Sequence, residues 1–455
     1  MMQFTREVVE RAGAAVVRQC RQSEFTGVVT DTRCIEPGSL FIALKGERFD
    51  GHDFLMQAVK QGATGLVISR SLTAAELKQL SVTVFEVSDT LAAYQALARE
   101  HRRRFAIPVI AITGSNGKTT TKDLTAAVLS GRFKVLKTQA NFNNEIGLPL
   151  TLLQLDSSHQ AAVVEMGMRG FGQIRELAAI AEPDIGIVTN VGETHMELLG
   201  SLDNIAAAKA ELVESIGKTG TIILNADDLR VAAMRQKAVG RVLTFAIKDE
   251  TADVWATAIR TEGNVTKFYC CLKDVEQEFI LPMLGRHNVY NALAAIAAGF
   301  ALGLSGEEMQ QGLNGLEATK MRFECQQLKE YLVINDAYNA SPMSMQAAIE
   351  TLDEVAEGRK IAVLGDMLEL GDVSLQAHRD VGRTLASHRV DVLVTRGEMG
   401  REIGEAAKAA GLKFVYSCDS HEAAGQTLRQ LLLPGDTILF KGSRGMQMEK
   451  IIQLL

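Results

Sequence analysis

Val109-Ile-Ala-Ile-Thr113-Gly-Ser-Asn-Gly117-Lys-Thr-Thr-Thr121 is the stretch on which the reading of this chain turns. An apolar strand runs directly into a glycine-bracketed turn, and an Ala/Leu-rich helical pattern follows. Backbone N–H groups around Gly114 and Gly117 can wrap an anion, and the helix directs its positive N-terminus at it. Lys118 would neutralise the β- and γ-phosphates of a nucleotide, and the Thr119 hydroxyl would reach a magnesium ion. Gly114, Ser115, Asn116, Gly117, Lys118, Thr119 and Thr120 are thus the candidate phosphate-binding residues. The usual pattern has glycine where Ile112 stands, so the strand before and the helix after carry the assignment. The loop alone does not name a reaction.

The bulk numbers set limits around that loop. At 455 residues the chain is too long for one ordinary core, and two to three domains are expected. A hydrophobic content of 47% with 23% charged residues suits a soluble globular enzyme. The net charge of −7 argues against sequence-independent nucleic-acid binding, which relies on phosphate neutralisation. The one basic run, His101 to Arg104, closes a predicted helix over Leu91–Glu100, where cations suit the helix dipole. The N-terminus, with Arg6, Glu7, Glu10 and Arg11, lacks the apolar core of a secretory signal. The longest apolar run, Ala292–Leu304, is too short to span a bilayer and reads as a buried helix. Six cysteines at 20, 34, 270, 271, 325 and 418 show no CxxC pair, and are expected to be free thiols in a reducing cytoplasm.

Three segments emerge along the chain. Residues 1 to about 85 carry short strands (27–30, 40–44, 65–68) broken by turns such as Pro37-Gly38. From about 106 to 315, strands (109–113, 134–137, 161–165, 184–190, 221–225) alternate with helices (118–130, 173–181, 203–216). Such alternation indicates a parallel sheet with covered faces. The stretch 240–281 is less regular and reads as antiparallel strands. From about 320 the alternation restarts, with strands at 331–335, 361–364, 391–394 and 437–440, which predicts a second doubly wound domain.

In a parallel sheet, ligands gather outside the carboxyl ends of the strands. Glu165 ends one strand, and His195 lies five residues beyond the strand ending at Thr189-Asn190. Hard magnesium prefers the oxygens of Thr119 and Glu165, whereas His195 is either a less usual ligand or purely structural. Lys209 sits in a helix among Ala206, Ala207, Ala208 and Ala210, and its spacing alone says no more than a solvated lysine.

The phosphate loop Thr113–Thr119 resembles that of the Mur ligases and the folylpolyglutamate synthases. Asp31-Thr32-Arg33, with Pro37–Leu44 and Asp50-Gly51-His52, is similar to the uridine-nucleotide domain of the third and fourth peptide-adding Mur ligases. Asn141–Gly147 resembles the family's substrate loop, and Gly285–Asn291 its adenine-side helix start. Asn335–Pro342, Gly365–Gly371 with His378, and Lys441–Arg444 are similar to the fourth member.

The resemblance implies a three-domain α/β fold: a uridine-nucleotide domain at 1–87, a central ATP-binding domain at 88–316 and a Rossmann-like ligase domain at 317–455. It implies that ATP phosphorylates the terminal carboxylate of UDP-N-acetylmuramoyl-tripeptide, and that the amine of D-alanyl-D-alanine attacks the acyl phosphate to give amide, ADP and phosphate. Lys118, Glu165, His195 and Lys209 match the catalytic positions, with Thr119, Glu165 and His195 on two magnesium ions and Lys209 matching a lysine that relatives carbamylate. Asn288, Asn291, Arg322 and Asp336 match positions around ATP. Asp31, Thr32, Arg33, Lys45, Asn143, Asn144, Tyr338 and Asn339 match the substrate side, while His378 and Lys441–Arg444 suit either fold or substrate. Asn335 stands where many members carry aspartate, and Met321 where many carry glycine. A cytoplasmic monomer without membrane insertion is expected. The rivals are the third-residue-adding ligase, whose Asp-Asn-Pro-Arg motif is missing here, and a non-catalytic nucleotide-binding paralogue.

Overall fold

The computed structural model describes residues 4–20, 24–272, 275–317, 319 and 321–455. By its contacts the chain divides into two compact units, the first holding residues 1–111, 133–166 and 175–183 and the second the rest.

In the first unit, short β-branched and aromatic runs make a five-stranded sheet, ordered Ala15–Arg18, Thr83–Glu86, Gly65–Ile68, Leu40–Ile42 and Val28–Val29. The first pair is antiparallel and the others are parallel. Phe41, Leu66 and Val84 fill the core beneath it. Strands Val135–Lys137 and Ala161–Glu165 also run parallel within this unit. Helix Thr90–Arg102 begins where Asp89 accepts from the backbone N–H groups of Leu91 and Ala92. The basic run does close the helix, as expected, but two of its side chains also make buried contacts. Arg103 and Arg104 are exposed, but His101 and Arg102 are buried. Arg102 donates to the carbonyls of Ala181 (2.9 Å) and Phe105 (3.0 Å), and His101 Nε2 lies 2.9 Å from Leu155 O. These side chains close loop carbonyls that would otherwise be buried without partners.

The second unit contains the strands Val275–Leu281, Val265–Leu272, Val254–Glu262, Arg241–Ala246, Thr221–Asn225 and Ile185–Val188, in that order. The expectation of antiparallel pairing over 240–281 holds only from residue 254 onward. Arg241–Ala246 pairs parallel with Thr221–Asn225, because the helical segment Leu229–Lys237 between them provides a crossover. Helix Arg286–Ala301 starts earlier than the apolar run suggests and packs on the phosphate-loop helix Lys118–Ser130.

The same unit carries a six-stranded sheet, ordered Glu324–Leu328, Tyr331–Asp336, Thr437–Lys441, Lys360–Gly365, Val392–Arg396 and Phe414–Cys418. All neighbours are parallel except the first pair. Met345, Ile349, Leu352, Val381, Leu385 and Ile403 cover one face, and Leu428 and Ile451 the other, which makes the expected doubly wound layer. Its two edge strands have no counterpart in the sequence reading, because Glu-Cys-Gln-Gln-Leu and Phe-Val-Tyr-Ser-Cys alternate too weakly to signal strands. Among the described residues, no helix is long and apolar enough to cross a membrane.

Candidate active site

Strand Val109–Thr113 delivers its chain into a loop that permits no side chain at two positions. Gly114 has φ +152° and Gly117 φ +79°; a Cβ would strike Thr189 Oγ1 at the first and Asn291 Oδ1 at the second. The loop is tied to the end of the neighbouring strand. Asn190 Oδ1 accepts from the Asn116 N–H (2.8 Å), Thr189 Oγ1 donates to Asn116 O (2.7 Å), and the Ser115 N–H donates to Asn190 O (2.9 Å). Ser115 Oγ exchanges hydrogen bonds with Gly192 at 2.9 and 3.0 Å. The amides of Ser115 and Asn116 therefore already have partners. The helix-start N–H groups that follow, which have no intrahelical acceptor, are the ones that can face an anion.

Lys118 holds its ammonium over the loop, donating to the carbonyls of Gly114 (2.7 Å) and Ser115 (3.2 Å). Thr119 is buried at the helix start, and Thr120 is half-buried beside it. Asn288 and Asn291 form a buried chain: Asn288 Nδ2 donates to Leu284 O, Asn291 Nδ2 to Asn288 Oδ1, and Thr121 Oγ1 to Asn291 Oδ1. Their amides brace the two helices against each other rather than standing open.

His195 and Lys209 lie in the electrostatic reach of Lys118. Lys209 is not a solvated lysine. Only 2% of it is exposed, and burial, with Lys118 adding repulsion, holds its amine well below the ordinary lysine range. Burial likewise lowers His195, against the pull of Glu369. His195 Nδ1 is 2.8 Å from Glu369 Oε2, close contact without the alignment of a hydrogen bond.

Arg322 and Ser341, from the segments around the six-stranded sheet, reach the loop and the helix start, and neighbouring groups brace them. Arg322 reaches Thr119 Oγ1 with a guanidinium nitrogen at 3.2 Å, and its guanidinium carbon stands 4.0 Å above the Tyr338 ring. Asp336 accepts from the Phe323 N–H and from the buried ammonium of Lys441, which also donates to Asn339 O. Ser341, the N-cap of helix Pro342–Val355, donates to Asn116 Oδ1 at 2.7 Å. Asp123 on the phosphate-loop helix accepts from the N–H (3.0 Å) and hydroxyl (2.7 Å) of Thr319, three residues before Arg322.

The remaining expected residues, His378 apart, belong to the first unit. Glu165 is buried; its Oε1 accepts from Asn143 Nδ2 at 2.7 Å, while Oε2 has no partner. Asn144 Oδ1 accepts from the N–H groups of Ile146 and Gly147, opening helix Gly147–Leu152. Asp31 caps the turn Thr32–Cys34 and pairs with Arg33, and Lys45 bridges to Asp50. His378 is structural: its Nε2 accepts from the Met367 N–H at 2.8 Å, and its Nδ1 lies 2.7 Å from Ser374 O. The sequence reading missed Asn190, Ser341 and Glu369. Asn190 could have been flagged as a polar strand end beside the loop, whereas Ser341 and Glu369 lie inside the segments Asn335–Pro342 and Gly365–Gly371 already singled out, without a role of their own.

A strand, a glycine loop and a helix start, with a basic residue arriving from a second parallel layer, define a phosphate-loop nucleotide-binding protein. The sequence models of the Mur ligase middle domain, of the Mur ligase glutamate ligase domain and of the Mur ligase family catalytic domain match residues 112–299, 321–444 and 24–102. The chain belongs to the Mur ligase family. It is 41% identical over 96% of its length to the UDP-N-acetylmuramoyl-tripeptide–D-alanyl-D-alanine ligase of Bacillus subtilis, covering 94% of that relative. A crystal structure of MurF from Acinetobacter baumannii superposes with a TM-score of 0.91 at 34% identity, covering 100% of this chain and 98% of that one. MurF from Thermotoga maritima in complex with ADP gives 0.84 at 28% identity, covering 94% and 96%.

Proposed function

We propose that this chain is an ATP-dependent ligase that joins D-alanyl-D-alanine to UDP-N-acetylmuramoyl-tripeptide. The observation that carries the reading is full-length identity of 41% to a ligase of that name, in a chain whose phosphate loop keeps Lys118 and Thr119 at a helix start. Residues 1–87 would take the uridine nucleotide through Asp31, Thr32, Arg33 and Lys45, residues 88–316 ATP, and residues 317–455 would complete the site. Tyr338, Asn339, Asn143 and Asn144 are assigned to the substrate side.

Two polyanions must meet in this reaction, so the dominant demand is charge neutralisation. Lys118 and the helix-start N–H groups take the nucleotide phosphates, and Arg322 adds a second cation at Thr119. The tripeptide carboxylate oxygen attacks the γ-phosphorus, the bond to ADP breaks, and an acyl phosphate forms. The amine of the dipeptide, after losing a proton, attacks the acyl carbon. The tetrahedral adduct then expels phosphate and leaves the amide. Water would hydrolyse the acyl phosphate, so the third domain's work includes keeping it out.

The assigned ligands, taken residue by residue, are of the kind magnesium accepts. Glu165 presents a buried carboxylate oxygen with no partner, and Thr119 a hydroxyl, both hard ligands of the kind this ion prefers; His195 is assigned to a second ion. When bound, such ions neutralise phosphate charge and polarise the transferring group. Lys209 is assigned a carbamate: its lowered pKa favours the neutral amine, the form that adds carbon dioxide. The chain is read as a cytoplasmic monomer, its six cysteines being free thiols suited to a reducing compartment.

Substrate omission tests the ligase reading. Phosphate release should need ATP, the uridine-linked tripeptide and the dipeptide together, with a new amide detected by mass spectrometry. Steady release without the dipeptide, or no amide product, overturns it.

A further inference from the structure

The segment Met367–Glu369 is one of the most tightly held loops around the site. Met367 N–H donates to His378 Nε2 (2.8 Å), and Leu368 N–H to Ser443 Oγ (2.9 Å). Ser443 N–H donates back to Asp366 O (3.0 Å), and Asp366 Oδ1 accepts from the Gly400 N–H (2.7 Å). His378 and Ser443 are themselves buried, so these bonds are shielded from water. At the loop's end Gly371, with φ +54°, comes so close to the helix Met196–Leu199 that a Cβ there would lie 3.2 Å from Glu197 Cα. What this rigid loop presents is the Glu369 carboxylate, against Nδ1 of His195.

Energetics argue that the contact is not there for stability. Glu369 has φ +63° and His195 φ +56°, left-handed conformations that strain a non-glycine residue. The Glu369 side chain is 54% exposed, and a pair this open adds little to stability. Strain on both sides of a weak pair marks a position held for function. The contact biases how the ring is used by charge alone: a carboxylate oxygen 2.8 Å from Nδ1 favours the proton on that nitrogen, which leaves Nε2 for a ligand. A carboxylate behind a ligating imidazole fixes its tautomer and orientation.

We infer that Glu369 is a positioning residue for His195, supplied by the third domain, so that the imidazole is oriented for a metal ion only while the Gly365–Gly371 loop sits on helix Met196–Leu199. The inference rests on the reading of His195 as a metal-facing residue. It assigns the Gly365–Gly371 segment a task beyond folding: His378 and Ser443 rigidify the loop, and the loop orients the histidine.

The test uses the full chain with 15N-labelled histidine and Mn2+ plus ADP as the probe. In the unaltered protein His195, assigned by loss of its signals in His195→Gln, should show the Nδ1-protonated tautomer. Glu369→Ala should shift it towards the Nε2-protonated form and weaken Mn2+ binding, read by electron spin resonance, by about 10- to 100-fold. Glu369→Gln keeps an accepting oxygen and should restore the tautomer in part; it also serves if the alanine variant folds poorly. An unchanged tautomer in Glu369→Ala, or unchanged Mn2+ binding, overturns the inference. His195→Ala separates the two failures. If it too leaves Mn2+ binding intact, the metal-facing reading of His195 has failed; if it weakens binding while Glu369→Ala does not, only the positioning role has.

Discussion

Arg322 donates to the hydroxyl of Thr119 at 3.2 Å while its guanidinium lies over the ring of Tyr338 at 4.0 Å. One side chain thus joins the six-stranded layer to the start of the phosphate-loop helix, and its approach is prepared from both ends. Asp123 anchors the preceding linker at Thr319, and Asp336 holds the following amide at Phe323.

Lysine cannot reproduce this arrangement. Its ammonium is a compact, strongly hydrated charge that neither stacks on tyrosine as a plane nor forks towards two acceptors. Arg322→Lys should therefore raise the KM for ATP by about tenfold, or about 1.4 kcal/mol, just under the 1.5–3 kcal/mol of a charged hydrogen bond because a charge is retained. Steady-state kinetics at saturating tripeptide and dipeptide would check it. An unchanged KM and kcat would show that the contact is incidental.

Met321, next to Arg322, is left-handed at φ +59°. That gives a physical reason for the glycine many Mur ligases carry at the matching place: a Cβ is strained there, and glycine is not. The methionine sulfur makes only a weak contact with Arg444, at 3.8 Å. Met321→Gly should consequently relieve strain and raise the thermal midpoint by roughly 1–2 °C, the shift expected for a fraction of a kcal/mol to about 1 kcal/mol in a large chain. Differential scanning calorimetry showing a fall would mean the side chain's packing outweighs its strain.

Local signals made the phosphate loop legible, since glycine, lysine and threonine at a strand–helix junction are fixed by the backbone geometry itself. The central strands were legible for the same reason: fully buried parallel strands must be apolar throughout. What escaped was set by distance in sequence. Lys209 reads as an ordinary helical lysine until packing removes it from water, and His101 and Arg102 read as a helix-end charge cluster until loop carbonyls meet them. Glu369 pairs with a residue 174 positions earlier, so no window on the sequence could connect them. Edge strand Glu324–Leu328, exposed and polar, carried too little burial to leave a pattern.

The burial of His101 makes stability depend on pH in a definite direction. Loss of solvation holds the ring at a pKa of about 4, against about 6.5 when unfolded. Between these values the unfolded chain binds a proton that the folded chain refuses, so stability rises with pH. The contribution is complete above about pH 6.5 and is lost as the pH falls towards 4, up to about 3 kcal/mol. His287, also driven down to about 4 by burial, acts in the same window. His101→Gln keeps an amide donor for Leu155 O and should flatten part of the slope in midpoint temperature between pH 6.5 and 4. The same slope in both proteins would remove His101 from the account.

Lys209 offers the sharpest separation between a packing role and a chemical one. An unpaired ammonium at 2% exposure beside Lys118 is unfavourable by several kcal/mol, so the buried side chain favours the neutral amine. That amine can add carbon dioxide, forming an N–C bond, releasing one proton and turning a would-be cation into an anion. The anion would then be attracted by Lys118 rather than repelled. Lys209→Ala should lower kcat by about 100-fold or more, the scale seen when an oriented electrostatic group is deleted from a site. A small carboxylate such as formate or acetate should restore part of the rate, because the missing charge can be supplied in the space the lysine leaves. With 13C-bicarbonate, the unaltered protein should show a carbamate carbon resonance that the variant lacks. Full activity of Lys209→Ala in bicarbonate-free buffer would end the carbamate reading. No carboxylate rescue, together with a lowered midpoint temperature, would instead place Lys209 among residues needed for packing.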